Sequence, residues 1–275
     1  MSSDIFLLTT LPLARLSSFI PSLSTWTAIA PLINILVDES ELPLLPSDLP
    51  THLRFIPYRA LDRKTPTLQQ VASVFHHSNN SQYLAFFNAD ISYLPCYQQD
   101  LLASPGITPS LFSDLHVLFA HRHDYLDEPS LGFQPYLDGF DYFSLKRSLL
   151  PLLLGTSPDF SIGQVGWDYY LPLSLPRNRV LTASSLPLFH KMHPTSSTSS
   201  WDSSMLSLFP LIHSSWIQSR PFPFRLLHRL LLLCLRTCLT FPKEVGNLFP
   251  FRYLVSRICC YCFIKPMLAS APHYS

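Results

Sequence analysis

Four short apolar runs limit what this chain can become: "DIFLLTT" (4–10), "LINILVDES" (32–40), "LRFIPY" (53–58) and "YLAFFN" (83–88). Each is too short for a buried helix and stops at turn residues or a polar group. That is the pattern of a strand buried on both faces. Residues 12–30 are mostly apolar with Ser and Thr interspersed and read as a helix followed by a loop near Trp26. "TPTLQQVASVFHH" (65–77) has Pro66 just inside a Thr65 start, then Leu68, Val71, Val74 and Phe75 on one helical face. The order strand, helix, strand, strand, helix, strand predicts an α/β domain with a largely parallel sheet. An acid in the middle of such a strand would have to be desolvated at large cost. Asp38 and Asp90 stand instead at the carboxyl ends of their runs, where parallel sheets open onto ligands.

Farther on, "HVLFAHRHDY" (116–125) reads as one more strand running into His121, Arg122, His123 and Asp124. That cluster is either a solvated loop or a source of phosphate contacts, since Arg pairs bidentately with phosphate oxygens. "GFDYFSLKRSLLP" (139–151) reads as a strand and a helix start. "FSIGQVGWDYYLPLSL" (160–175) places Gly163 and Gly166 ahead of Trp167, Asp168 and an amphipathic helix. "NRVLTASSLPLFHKMHP" (178–194) is a strand followed by an apolar stretch ending in His190 and His193. After about residue 195 the texture changes. Residues 1–195 form one domain, and 196–275 a Ser/Thr-rich linker with an apolar, basic, Cys-rich tail.

Composition removes several function classes. Net charge is +1, and Lys and Arg are too sparse before residue 220 for a nucleic-acid footprint. The seven glycines form neither GxGxxG nor GxxxxGK[ST], which excludes the familiar Gly-rich phosphate loops. Charged residues are 13% of the chain, about half the usual share of roughly 25%, and mean hydropathy is +0.20. Low charge with much apolar surface points to a deep core or a face on lipid. "LLHRLLLLCLRTCLTF" (226–241) is broken by His228, Arg229 and Arg236 and reads as an amphipathic or buried helix, not a span. The tail's Arg229, Arg236, Arg252 and Arg257 form either a basic face on anionic lipid or a solvated helix face. Asp4 and the lack of a basic residue before the first apolar run make a poor signal peptide. The expectation is a cytoplasmic protein with reduced thiols, peripheral at a membrane's inner face through its tail. "CCYC" lacks the second pair that a zinc site needs, so its thiols are read as buried or lipid-facing.

Asp90, Asp168 and the His190/His193 pair therefore stand out. A carboxylate and an imidazole can share a divalent cation whose other sites diphosphate oxygens fill. A separate carboxylate can deprotonate a hydroxyl nucleophile. In this order, "NAD", "GFDYFSLKR", "GWD" and "FHKMH" resemble the GT-A-type glycosyltransferases, family-two-like members of the nucleotide-diphospho-sugar transferases. The resemblance covers roughly residues 4–194. It implies a GT-A, Rossmann-like three-layer α/β/α fold with a mostly parallel mixed sheet. It implies inverting, metal-dependent transfer of a hexose from a nucleotide diphosphate sugar to a hydroxyl acceptor, a glycan or lipid-linked one, with no nucleic acid involved. By that resemblance Asp90, with His190 or His193, holds Mn²⁺ or Mg²⁺. Thr10, Asp38, Asn88, Asp90 and Arg122 line the donor side, and Asp141, Gly166 and Trp167 the acceptor side. Asp168 is the base. Asn88 stands where the family's DxD has its first acid, and Trp167 where an acid precedes the base. The alternatives are a turn acid for Asp38, a core residue for Trp167 and a structural histidine for His190. A non-catalytic binder of nucleotide or glycan with the same fold is the alternative. A membrane-associated structural protein, with the tail as its functional part, is a further one.

Overall fold

The computed structural model describes residues 4–60, 65–78, 81–98, 101, 114–136, 139–156, 161–162, 166–192, 209–240 and 257–271. Its internal contacts separate two units. One is Met1–Gly163 with Leu181–Pro194 and His273–Ser275; the other is Gln164–Val180 with Thr195–Pro272. Gly163, His193, Arg252 and the Ser/Thr-rich stretch at 195–204 lie outside the described residues, and so does the side chain of Arg236.

The first unit is built on the apolar runs. They form β1 (Ile5–Thr10), β2 (Ile33–Asp38), β3 (Leu53–Tyr58) and β4 (Tyr83–Phe87). With β6 (Val117–Ala120), β9 (Tyr142–Lys146) and β10 (Val180–Ala183) they make a seven-stranded sheet in the order β10-β6-β9-β4-β1-β2-β3. The pairs β1–β2, β1–β4 and β2–β3 are parallel, whereas β9 runs antiparallel to β4 and β6. The expected α/β class with a mostly parallel, mixed sheet is what the chain adopts. Strand alternation assigns the two faces. Ile5, Leu7, Ile33, Ile35, Val37, Ala85 and Phe87 point one way and pack with Leu16, Phe19 and Leu23 of α1 (Leu16–Thr25) and with Trp26. Phe6 on the other face meets Phe75 of α2 (Leu68–His77) edge to face, with ring centroids 6.0 Å apart. Helix α2 packs in turn on α3 (Leu150–Leu154).

The start of α2 corrects the sequence reading by two residues. Its cap is Thr67, not Thr65: the Thr67 hydroxyl accepts from the Gln70 amide at 3.2 Å, and the Gln70 side-chain oxygen accepts from the Thr67 amide at 2.8 Å. This reciprocal box satisfies two amides that the first turn leaves without partners, and it places Pro66 before the helix.

A second sheet was not foreseen. β5 (Ile91–Tyr93), β7 (Arg122–Tyr125), β8 (Gln134–Tyr136) and β11 (Leu188–Lys191) form four strands in the order β5-β11-β7-β8. The chain leaves the large sheet for this one in three places: at Asn88–Asp90, at His121, and between Ala183 and Leu188. The single strand expected over 116–125 is thus two strands in two sheets. The His-Arg-His-Asp cluster is not a solvated loop, because β7 is paired with β11 and β8 on either side.

The second unit contains α4 (Trp167–Ser174), α5 (Ser214–Gln218), α6 (Phe222–Thr240) and a π-helical turn, Cys259–Ile264, that runs into α7 (Lys265–Ala269). The expected amphipathic helix after Gly166 is instead buried almost all round: Trp167, Tyr169, Tyr170, Leu171 and Leu173 are all in the core. Trp216 is fully buried and donates to the Leu175 carbonyl at 2.9 Å. The rings of Phe209, His228 and Phe263 pack together. Among the described residues no helix is long and apolar enough to cross a membrane.

Candidate functional site

The strand that ends on a carboxylate does so because the chain changes sheets there. β4 stops at Phe87, Asn88–Ala89–Asp90 turn, and β5 begins at Ile91, with the Ile91 amide donating to the Asn88 carbonyl at 3.0 Å. Trp26 holds this turn. Its ring stacks on Phe87 at 3.9 Å and its indole N–H donates to the Ile91 carbonyl at 2.7 Å.

The pairing of strands then brings distant residues to the turn. Phe87 lies opposite Tyr142 in the β4–β9 ladder, so Asp141 arrives beside Asn88. The Asn88 amide side chain donates to Asp141 Oδ1 at 2.5 Å. In the small sheet His190 is in register with Ile91 on one side and Asp124 on the other. His190 Nδ1 is 3.0 Å from Asp124 Oδ1, and its Nε2 is 3.5 Å from Asp90 Oδ2. Arg122, two residues from Asp124 and on the same strand face, donates through Nε to Asp124 Oδ1 at 2.7 Å and through Nη1 to Asp141 Oδ2 at 2.9 Å. Its guanidinium lies 4.1 Å from the centroid of Tyr136 on β8. Asp90, His190, Asp124, Arg122, Asp141 and Asn88 thus form one continuous polar chain where the two sheets meet.

Electrostatics follow from burial and pairing. Burial opposes the charge on Asp90, yet the hydrogen bond and charge of His190, with Arg122 adding to them, bring its carboxyl below the ordinary carboxylate value. Burial likewise opposes protonation of His190, but Asp90 and Asp124 outweigh it and raise the imidazole. Burial lifts the Asp141 carboxyl, and Arg122 and Asn88 offset part of that rise. Burial also works against the charge on Arg122, and Asp141 and Asp124 hold the guanidinium protonated. His123, on the opposite strand face, is buried against Phe133 and Phe189 and its pKa is lowered by that burial. It does not belong to the cluster.

The remaining expected residues divide in two. Thr10 and Asp38 end β1 and β2, strands parallel to β4, and so share the carboxyl edge with Asn88 and Asp90. The Thr10 hydroxyl donates to the Leu36 carbonyl at 3.1 Å. Asp38 caps the 3₁₀ turn Glu39–Leu44 by accepting from the Ser40 amide at 2.8 Å. Gly166, Trp167 and Asp168 belong to the second unit. Gly166 caps α4 in the left-handed region at φ 86°, which favours glycine. Trp167 is buried in the core, and Asp168 lies in the first turn, where the helix dipole favours an acid. Asp141, expected on the acceptor side, has both oxygens engaged by Asn88 and Arg122, so it positions its neighbours. Asp124 was missed as a site residue. The signal that could have found it is the Arg122–Asp124 alternation on a strand, which puts both side chains on one face.

A divalent cation fits part of this arrangement. Nδ1 of His190 is held by Asp124, the carboxylate–histidine pairing that orients metal ligands, and Nε2 is thereby presented to Asp90 Oδ2. Cation–ligand distances of about 2.0–2.2 Å let donors 3.5 Å apart reach one ion. The protein shell stops at these two, and among the described residues no group of three His, Cys, Asp or Glu side chains is placed to hold a metal. A separate cavity, lined by Phe6, Asn34, Arg54, Val74 and His77 among others, opens at the opposite, amino-terminal edge of the strands.

No protein-family model matches the chain, and no curated protein matches it. Among solved structures it is similar to GalNAc-T7 crystallised with UDP, GalNAc and Mn²⁺ at 9% identity, with 74% of this chain and 47% of that one covered and a TM-score of 0.43. This chain therefore spans about half the length of that protein. It is also similar to Rv0371c from Mycobacterium tuberculosis H37Rv, at 8% identity over 76% and 98% of the two chains with a TM-score of 0.41. A third likeness is to 4-diphosphocytidyl-2C-methyl-D-erythritol synthase from Anaerococcus prevotii DSM 20548, at 8% identity over 71% and 94% with a TM-score of 0.39. At these scores and identities the likenesses decide nothing about chemistry.

Proposed function

We propose that the first unit binds a nucleotide diphosphate sugar at the carboxyl edge of its large sheet and that the protein transfers the sugar to a hydroxyl acceptor. One observation carries this reading. Asn88, Asp90, Arg122 and His190, far apart in sequence, gather where a mostly parallel sheet opens, around a protonated guanidinium and a carboxylate–imidazole pair. Asp124 and Asp141 hold Arg122 in place, and Asp124 sets the orientation of His190. Thr10 and Asp38, on the same edge, are the residues assigned to the nucleotide. Asp90 Oδ2 and His190 Nε2 are the protein donors for Mn²⁺ or Mg²⁺, and diphosphate oxygens and water complete its shell. When bound, the cation offsets negative charge on the departing diphosphate. Arg122 supplies a second fixed positive charge nearby. By the resemblance, Asp168 is assigned as the base that takes the acceptor hydroxyl proton. One in-line displacement then inverts the anomeric centre. The acceptor is a glycan or a lipid-linked saccharide.

A second reading, a binder without turnover, has its own observation. Asn88 donates to Asp141, so the turn presents one carboxylate, Asp90. Incubation with nucleotide sugars and Mn²⁺, followed by chromatography of released nucleoside diphosphate, separates the two. Release that Asp168→Asn abolishes supports the transferase. A Mn²⁺-dependent rise in thermal midpoint without release supports the binder. Neither effect with any donor removes both.

A further inference from the structure

Helix α6 carries two faces of unlike character. His228 and Leu231 are buried, and Phe224 packs on Phe263 with ring centroids 4.3 Å apart, which anchors one side in the second unit. On the other side Phe222, Leu226, Leu227, Leu230 and Leu233 are 44 to 64% exposed. At 3.6 residues per turn these five fall within one sector of roughly 140°. Arg225 and Arg229, both exposed, flank that sector on the side of Phe222. The surrounding sequence is strongly one-signed. Of the chain's 19 Lys and Arg, eight follow residue 202 (Arg220, Arg225, Arg229, Arg236, Lys243, Arg252, Arg257 and Lys265), whereas Glu244 is the sole one of its 18 acids there.

We propose that α6 lies in the interface of an anionic lipid bilayer, with Phe222, Leu226, Leu227, Leu230 and Leu233 turned into the acyl boundary and Arg225 and Arg229 at the headgroups. A wide leucine sector bordered by arginines is the composition of a helix that lies in the interface plane. Charge chooses the occupant. A second copy would bring the same positive surface against this one, whereas an anionic leaflet complements it. A helix of 19 residues, about 28 Å long, has length enough to span a bilayer only if apolar all round. Arg225, Arg229 and the buried His228 exclude that. The inference stands on the second unit alone and does not depend on the transfer chemistry.

The test is flotation of the full-length protein with vesicles of phosphatidylcholine containing about 30% phosphatidylglycerol, beside pure phosphatidylcholine. Binding is expected to the anionic vesicles, to weaken with salt, and to be small on neutral ones. Arg225→Gln and Arg229→Gln should each lower partitioning about fivefold, the equivalent of one basic contact with an anionic surface. Leu226→Glu with Leu230→Glu should abolish it, with the circular dichroism spectrum unchanged because both positions are exposed. A Leu230→Trp variant guards against misfolding of the double variant: its added emission should shift to the blue on anionic vesicles and be quenched by brominated acyl chains. Absence of flotation and of quenching overturns the proposal. So does a dimer in sedimentation that the same leucine substitutions convert to monomer, since the sector is then covered by a second copy.

Discussion

Replacing Arg122 by Met tests whether the polar chain at the sheet junction is a buried, interdependent unit. The side chains of Arg122, Asp124 and Asp141 are 17, 10 and 7% exposed, and the two ion-pair distances are 2.7 and 2.9 Å. A surface pair of this kind contributes up to about 1 kcal/mol. Removing one partner of a buried pair costs about 3–5 kcal/mol, because the remaining charge is left desolvated. At about 2–4 °C per kcal/mol for a unit of this size, the thermal midpoint should fall by about 6–20 °C. The sign with pH is also fixed. In the variant Asp141 keeps its burial and loses the guanidinium, so its folded carboxyl lies farther above its unfolded value. Such a group binds more protons folded than unfolded, so stability rises as pH falls. The deficit at about pH 7 should therefore shrink toward about pH 5. Adding Asp141→Asn to Arg122→Met should recover much of the loss, with a coupling of at least about 2 kcal/mol in the double-mutant cycle. Denaturant melts of the four proteins measure it. A single-variant cost under about 1 kcal/mol, or strictly additive effects, would refute the reasoning.

Three further outcomes follow from the same contacts. In metal-free protein the raised His190 value adds stability that is complete below its unfolded value near 6.5 and is lost as pH rises through the folded value. Thermal midpoints in EDTA should therefore fall on the alkaline side, and His190→Gln should flatten that slope; an unchanged slope assigns it elsewhere. Trp26→Phe should cost about 1–3 kcal/mol, since the Ile91 carbonyl loses its 2.7 Å donor, and near-ultraviolet dichroism should report a loosened turn. Thr67→Ala should cost about 1 kcal/mol by opening the capping box, read as a lower urea midpoint at constant slope.

The large sheet was legible because its strands are short, mostly apolar runs, which single polar residues such as Asn34 in β2, Arg54 in β3 and Ser144 in β9 do not disguise. The carboxyl ends of these runs picked out Asp38 and Asp90, the resemblance added Asn88, and the end of a later apolar stretch gave His190 with His193. The small sheet was not legible. β5, β8 and β11 have three or four residues each, too few for periodicity, and the break at His121 carries neither Gly nor Pro. Asp124 was overlooked for the same reason. Its partner His190 lies 66 residues away and meets it through a parallel β7–β11 register that no local pattern encodes. The buried character of α4 escaped notice because Asp168, Ser174 and three tyrosine or tryptophan rings gave its sequence an amphipathic look.

Titration calorimetry of nucleoside diphosphates into the protein, with Mn²⁺ and with EDTA, examines the donor site most directly. The account predicts binding that requires Mn²⁺ and that Asp90→Asn and His190→Gln each weaken by at least about 10- to 100-fold, the loss that removing an outer-shell partner of a metal ligand already causes. Equal affinity in Asp90→Asn, or heat from no nucleotide with or without the cation, would contradict it.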